Sequence, residues 1–386
     1  MQGKRKSMLN DLQAAELRRK QRIRNWMILV TVAVLAVGGY FLLRNVGRTS
    51  EISSVAMPCY SYQDVTMFGE DVLYYDGASI HCLTGTGKVR WSFPVGGGAS
   101  YTVSDTHLVV WVGSTLFIVD RDGRPTYNED LESTIQLARI GSRYAVAVVG
   151  ENTEPSVIIK DLQGAQIDIE TEAYSGMLVL DAGFYGEQGQ YMWTLAMDVY
   201  GTAINTVLNT FEVGKMNTGV VSLGKNLAYK VLFESNKLRV FTTQQMYSYD
   251  YKAVQDVNDT LLVYGWSLID TWLNSRGTAH MLLAQTAQTA QTSSVNALTE
   301  LRVISGALDR RYTLPGACVG AAVQNGSIYA VAANALYRCS IDSQRFYGFD
   351  PRLPDGREIT GLLGLTTGGR AIVSAGDAVY SVGLPK

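Results

Sequence analysis

The side chains able to ligate a soft metal or act as a thiol nucleophile are few in this chain of 386 residues: His81, His107 and His280, and Cys59, Cys82, Cys318 and Cys339. No histidine stands at zinc-like spacing from a cysteine or carboxylate, and no two cysteines form a C-x-x-C pair. GTGK at Gly85 to Lys88 has the ending of a phosphate loop, yet Cys82 stands where the earlier Gly is needed and Val89 where Ser or Thr should follow. DRDG at Asp120 to Gly123 suggests calcium, but the third oxygen ligand and the distal Glu of a loop site are missing. Hydrolysis by two carboxylates needs a facing pair, and no spacing here supplies one. The sequence therefore nominates no catalytic, cofactor-binding or metal-binding residue, and both glycine motifs read as corners between strands.

Those corners belong to a repeat. VLYYDGASIHCLTGTGKVRWSF, from Val72 to Phe93, runs strand, turn, strand, then a Thr84 corner with Gly87 three residues on and Trp91 beyond it. HLVVWVGSTLFIVDRDGRPTYN keeps the grammar, with Asp120, Gly123 and Tyr127 in those places, and a third copy repeats the corner at Asp161 and Gly164. The Gly supplies a turn with positive φ, the Asp or Thr bonds the turn backbone, and the aromatic is expected to wedge between units. Later copies keep only the rhythm of strand, turn and strand.

Inner strands beginning near Tyr62, Tyr101, Ile135, Met177, Val220, Val254, Val319 and Ile359 give a period close to the roughly 40 to 45 residues of a four-stranded propeller blade. The expected fold is an all-β propeller, with eight blades preferred and seven as the alternative, occupying 58–386. The last unit has room for three strands, so Ile52 to Met57 is expected to provide the fourth and close the ring. AQTAQTAQTSS, Ala284 to Ser294, is too polar and small to fill a core, so 274–298 reads as an exposed flexible insertion.

Before the repeat lies Trp26 to Leu43, WMILVTVAVLAVGGYFLL, eighteen uncharged residues. As a helix it measures about 27 Å, close to the roughly 30 Å of a hydrocarbon core. Residues 1–25 carry eight Lys or Arg against Asp11 and Glu16, which places this tail in the cytoplasm and everything after the 44–57 linker outside. A cleaved signal peptide, with Ala36 and Gly38 as its small-residue site, is the alternative, and it also exports the bulk of the chain. From Arg44 onward the net charge is about -8, which argues against a nucleic-acid partner. Outside the cytoplasm the four cysteines could pair in three ways, but with Cys82 and Cys339 inside apparent strands and no C-x-x-C spacing they read better as small buried hydrophobes.

TGKVRW, Thr86 to Trp91, resembles the T-G-x-x-x-W corner of the quinoprotein-type (PQQ-like) propeller repeat. The layout of basic tail, single span and acidic propeller resembles a family of membrane-anchored propellers of Gram-positive anaerobic bacteria for which no reaction is known. The first resemblance implies a blade corner. A quinone-dependent enzyme of that kind would also need a calcium constellation, a catalytic Asp and vicinal cysteines, and the last are absent. The expectation is a single-pass membrane protein whose extracytoplasmic propeller binds an envelope protein without catalysis. A ligand-sensing propeller and a degenerate quinoprotein-like enzyme are the alternatives.

Overall fold

The computed structural model describes residues 52–198, 200–289 and 297–385, with Thr31 alone before them. The proposed span Trp26 to Leu43 and the tail before it lie outside the described residues, and no described helix is long and apolar enough to cross a membrane.

From Ser54 onward the described chain forms eight four-stranded antiparallel sheets. Seven run in plain meander order, the first being Thr66–Phe68, Asp71–Tyr75, Ser79–Thr84 and Val89–Pro94. Central strands such as Asp71–Tyr75 and Tyr144–Glu151 are buried almost throughout, because neighbouring sheets cover both of their faces. Outer strands such as Val89–Pro94 and Pro125–Asp130 are largely exposed, which is why their sequences are polar.

Eight hydrophobic clusters hold the ring, each filled by two consecutive sheets. Phe68, Leu73 and Cys82 of blade one meet Leu108, Val110 and Val119 of blade two. Leu282, Leu301 and Val303 of blade six meet Val323, Ile328 and Cys339 of blade seven. The ring closes where Met57 and Cys59, with Ile372 and Val379 of blade eight, pack on Val72, Tyr74 and Leu83 of blade one. A lone sheet could not bury both faces, and radial stacking does so while leaving only short edges.

Blade eight is completed by the start of the described chain. Ser54–Tyr60 lies antiparallel to Ala378–Gly383, with Ser54 opposite Val382 and Ala56 opposite Tyr380. The sequence reading places this strand at Ile52 to Met57, and it runs a few residues later.

Two of the expected inner strands are displaced. Val220 lies on the outer strand of blade four, Met216–Gly224, and the inner strand of blade five is Ala228–Glu234. Val254 sits just past the corner of blade five, and blade six begins at Trp266–Leu273. The second displacement reflects a blade-five corner without Gly: Ala253 takes the left-handed conformation there at φ 59°. The stretch 274–298, read as one insertion, contains a fully paired strand of blade six, Ala279–Gln285. What interrupts the blade is shorter, opening with the single helical turn Thr286–Thr289.

Candidate functional site

The motif residues act structurally. Thr84 Oγ1 accepts the Lys88 amide at 3.1 Å, and Asp120 Oδ1 accepts those of Asp122 and Arg124 at 2.9 and 2.8 Å. Asp161 and Asp250 hold their own corners in the same way. Gly87, Gly123 and Gly164 have φ of 84°, 81° and 89°, the conformation that left only Gly unstrained there. The wedge is also present. Trp91 lies over Gly123 of the next blade and donates its indole N–H to the Arg121 carbonyl at 2.9 Å, and Tyr127 lies over Gly164.

In several blades the residue after the corner head serves as a docking acceptor. Leu162 O takes the Thr126 hydroxyl at 2.8 Å, Tyr251 O takes that of Thr218 at 3.0 Å, Ile341 O takes that of Tyr312, and Gly85 O takes that of Ser381. At these corners one carbonyl thus registers a blade against its predecessor. The phosphate-like and calcium-like motifs are occupied by this duty.

All four cysteines are free and buried, and burial pushes the thiols of Cys59 and Cys82 up to about 12 and that of Cys318 to about 11. His81, isolated in sequence terms, meets Asp76 through Nε2 at 2.8 Å and Ser92 Oγ through Nδ1 at 2.7 Å. This chain of three polar groups crosses blade one from the turn after its second strand to its outer strand. The His81 hydrogen bond, with those of the Ser79 and Ala78 amides, holds Asp76 down at about 2. Ser92 lies exposed on the outermost strand, and the chain stitches strands together.

Beside the central channel, Asp181 pairs with Arg139 of the preceding blade at 2.8 Å. Asp270 accepts the Val323 amide of the following blade at 2.7 Å, and burial raises its pKa. These two inner-strand carboxylates are thus engaged across blade interfaces. Among the described residues no three His, Cys, Asp or Glu side chains gather at one point.

The surface is uneven in a more informative way. Eleven of the seventeen exposed large apolar side chains among the described residues fall between Tyr200 and Leu273. The outer strand of blade five is only Leu261–Leu262, so it stops before covering the flank of blade six. Leu262 and Tyr264 stand out there at 67% and 74% exposure. Tyr264 forms a ridge between two hollows. One, of about 720 Å³, is lined by Tyr229, Trp266, Leu268 and the turn at Gln285 to Ala287. The other, of about 400 Å³, is lined by Trp266, Arg302, Asp309 and Arg311. Arg311 lies over the Trp266 ring at 5.4 Å, and Arg302 is fixed by a two-point pair with Asp309 and by the Leu262 carbonyl. The ridge lies on the face carrying the turns between second and third strands.

On the opposite face, a second cavity of about 720 Å³ opens around blade four. Its floor is a run of rings from different strands. Tyr185 lies 5.3 Å from both Tyr191 and Phe233, and Tyr191 lies 5.7 Å from Tyr251 of the next blade. The rim carries Arg143, stacked on Tyr144, with Glu187 and Gln188 exposed on a long turn and Lys215 paired to Glu212. The sequence offered no signal for either surface, since each is assembled from different blades.

Sheet order, interface clusters and end-to-end closure define the class: this is an eight-bladed β-propeller. No protein-family model matches the sequence, and no curated protein matches it. Solved structures do resemble it. BamB from Moraxella catarrhalis aligns with TM-score 0.51 and 10% identity, over 87% of this chain and 98% of that one. Saccharomyces cerevisiae Sqt1 aligns with TM-score 0.55 and 10% identity, over 86% of this chain and all of that one. The WD40 domain of Neurospora crassa Pan2 aligns with TM-score 0.50 and 7% identity, over 87% and 96%. At such identities the likeness is one of fold.

Proposed function

We propose that this chain is a membrane-anchored propeller that recognises another protein of the cell envelope, and that it works by binding without catalysis. The observation that carries the reading is the Tyr264 ridge, where an exposed Tyr and Leu flank a buried Trp and two Arg side chains. Protein contacts concentrate their energy in Tyr, Trp and Arg, and desolvating an exposed apolar cluster of this kind favours association. The ring supplies a rigid support, so little conformational entropy is lost when a partner seats on it.

Anchoring rests on the sequence, on the uncharged run Trp26 to Leu43 and the basic tail before it. It confines the search for a partner to the membrane surface. The binding reading is further supported by the engagement of Asp181 and Asp270 across blade interfaces, which leaves them in structural roles.

The test is quantitative crosslinking in intact cells, comparing the parent chain with a Leu262→Ala/Tyr264→Ala variant. One envelope protein should be recovered with the parent, and its recovery should fall by about tenfold or more in the variant. Equal recovery with both chains, the variant being folded, removes the ridge as the contact.

A further inference from the structure

We infer that the Tyr264 ridge selects a partner segment in which an Asp or Glu side chain stands beside a bulky apolar one. The carboxylate seats on Arg311, and the apolar side chain fills the hollow on the other flank of Tyr264. This rests on the reading of the ridge as a protein contact and names what that contact recognises. It starts from an unfavourable arrangement of charge. Arg302 and Arg311 stand directly opposite one another on the two outer strands of blade six, Leu298–Ser305 and Leu308–Cys318. Like charges so placed repel, and the carboxylate that could relieve them is Asp309. Both of its oxygens go to Arg302, at 2.8 and 2.7 Å. Arg311 is exposed and makes no ion pair among the described residues, its guanidinium lying over the Trp266 ring at 5.4 Å.

Two arginines and one aspartate leave the smaller hollow with a single net positive charge, in a chain that carries about -8 from Arg44 onward. One carboxylate matches that charge. A phosphate dianion would bring a second negative charge against Asp309 in the same hollow. Arg302 is held by Asp309 and the Leu262 carbonyl, so the fork left to face a partner is that of Arg311. A guanidinium presents paired donors that fit a carboxylate at two points, and stacking on Trp266 fixes its plane before the partner arrives. The hollow is walled by side chains of paired strands, Trp266, Arg302, Asp309 and Arg311. A chain-end carboxylate is captured by nests of backbone N–H groups, so this wall suits the side chain of Asp or Glu.

Tyr264 and Trp266 line both hollows, which puts the apolar one next to the charged one. Tyr229 and Leu268 stand in the wall of the larger, and the Tyr229 hydroxyl already accepts the Leu268 amide at 3.1 Å. An apolar side chain entering there leaves water without stranding that hydroxyl. An extended segment presents residues i and i+2 on one side, about 6 to 7 Å apart, and so can set one on each flank of a single ring. The two-residue outer strand of blade five, Leu261–Leu262, is what leaves both hollows open.

The experiment places a photoreactive residue at position 264 of the full-length chain in living cells and measures the yield of protein adduct. Adding Arg311→Glu should lower the yield by about tenfold or more, and Arg311→Met, which keeps an apolar stem beside Trp266, by several-fold. Arg345→Glu, which removes an exposed cation stacked on Tyr347 of blade seven, should leave it unchanged. Mass spectrometry of the adduct then locates the partner's segment. Changing its Asp or Glu to Lys should restore the adduct in the Arg311→Glu chain, as a swapped charge pair does. Unchanged yield in a folded Arg311→Glu or Arg311→Met chain, or failure of the swap, overturns the inference while the ridge contact stands. A crosslink to the partner's last residue overturns it in favour of a chain end. No adduct from position 264 in a folded chain sinks the ridge reading and this inference with it.

Discussion

Gly219 on the outer strand of blade four stands against Ala253 at the corner of blade five, so closely that a Cβ on Gly219 would lie 2.7 Å from that of Ala253 and 2.2 Å from the Lys252 carbonyl oxygen. Gly219 occupies the place that Trp91 and Tyr127 hold in their own blades, since it follows the bulge opposite Thr210 as Trp91 follows the one opposite Cys82. In the first blades a large side chain rests on a corner Gly. Here the corner carries the methyl group and its partner has lost its side chain altogether.

Adding a methyl on either side of such a contact should destabilise the ring. Gly219→Ala is expected to cost about 1 to 3 kcal/mol through overpacking against backbone. Gly164→Ala adds left-handed strain to a clash with the Tyr127 ring and should cost about 2 to 4 kcal/mol. Gly97→Ala, whose new Cβ would lie 3.9 Å from the Gly77 carbonyl oxygen, serves as the control and should change little. Urea unfolding midpoints at constant m-value would report the order of effects.

A buried ion pair supports the interface of blades five and six. Glu234, 2% exposed, binds Arg239 at 2.7 Å and accepts the Ala279 amide of blade six at 2.9 Å. Arg239 also reaches Asp259. Glu234→Ala leaves the guanidinium short of a buried partner and the amide without its acceptor, for a loss of about 3 to 5 kcal/mol by thermal or urea unfolding.

The thiols should be silent in the native protein. With Cys59 and Cys82 pushed up to about 12 and Cys318 to about 11 by burial, the thiolate is a minute fraction at neutral pH. A maleimide should modify essentially none of the four buried cysteines in native buffer and all four in denaturant, with the melting temperature indifferent to reductant.

Asp76 should mark the acid limb of stability. Its pKa is depressed in the folded chain, to about 2, chiefly by the His81 hydrogen bond and then by two turn amides. A depressed carboxylate contributes its full stabilisation above the unfolded value near 4 and loses it as pH falls toward 2. Asp76→Asn should therefore be less stable than the parent at pH 6, with the difference shrinking between about pH 4 and pH 2. A difference that stayed constant across that window would assign the effect to the turn geometry instead.

The blades most legible in the sequence were those whose corners keep both halves of the wedge. Thr84, Gly87 and Trp91 announce a corner, and Asp120 with Gly123 and Asp161 with Gly164 repeat it. Blade five hid its corner because Asp250 is followed by Ala253, and a two-residue outer strand gave the period nothing to count. The candidate surfaces were not legible at all. Tyr185, Phe233 and Tyr251 sit in different strands and meet only once blades four and five stack, and Tyr264 reads in sequence like any wedge aromatic until its exposure is known. His81 was judged by ligand spacing, whereas its partner Asp76 reaches it across a turn.

The most direct test of the central claim, that the blade five and six surface is a protein contact, is site-specific photocrosslinking in living cells. A photoreactive residue would replace Tyr264, and a second chain would carry it at Tyr347, which is 56% exposed on the outer strand of blade seven. The account predicts one discrete protein adduct from position 264 that is missing from position 347. The same adducts from both positions, or none from position 264 in a chain shown to be folded and expressed, would contradict it.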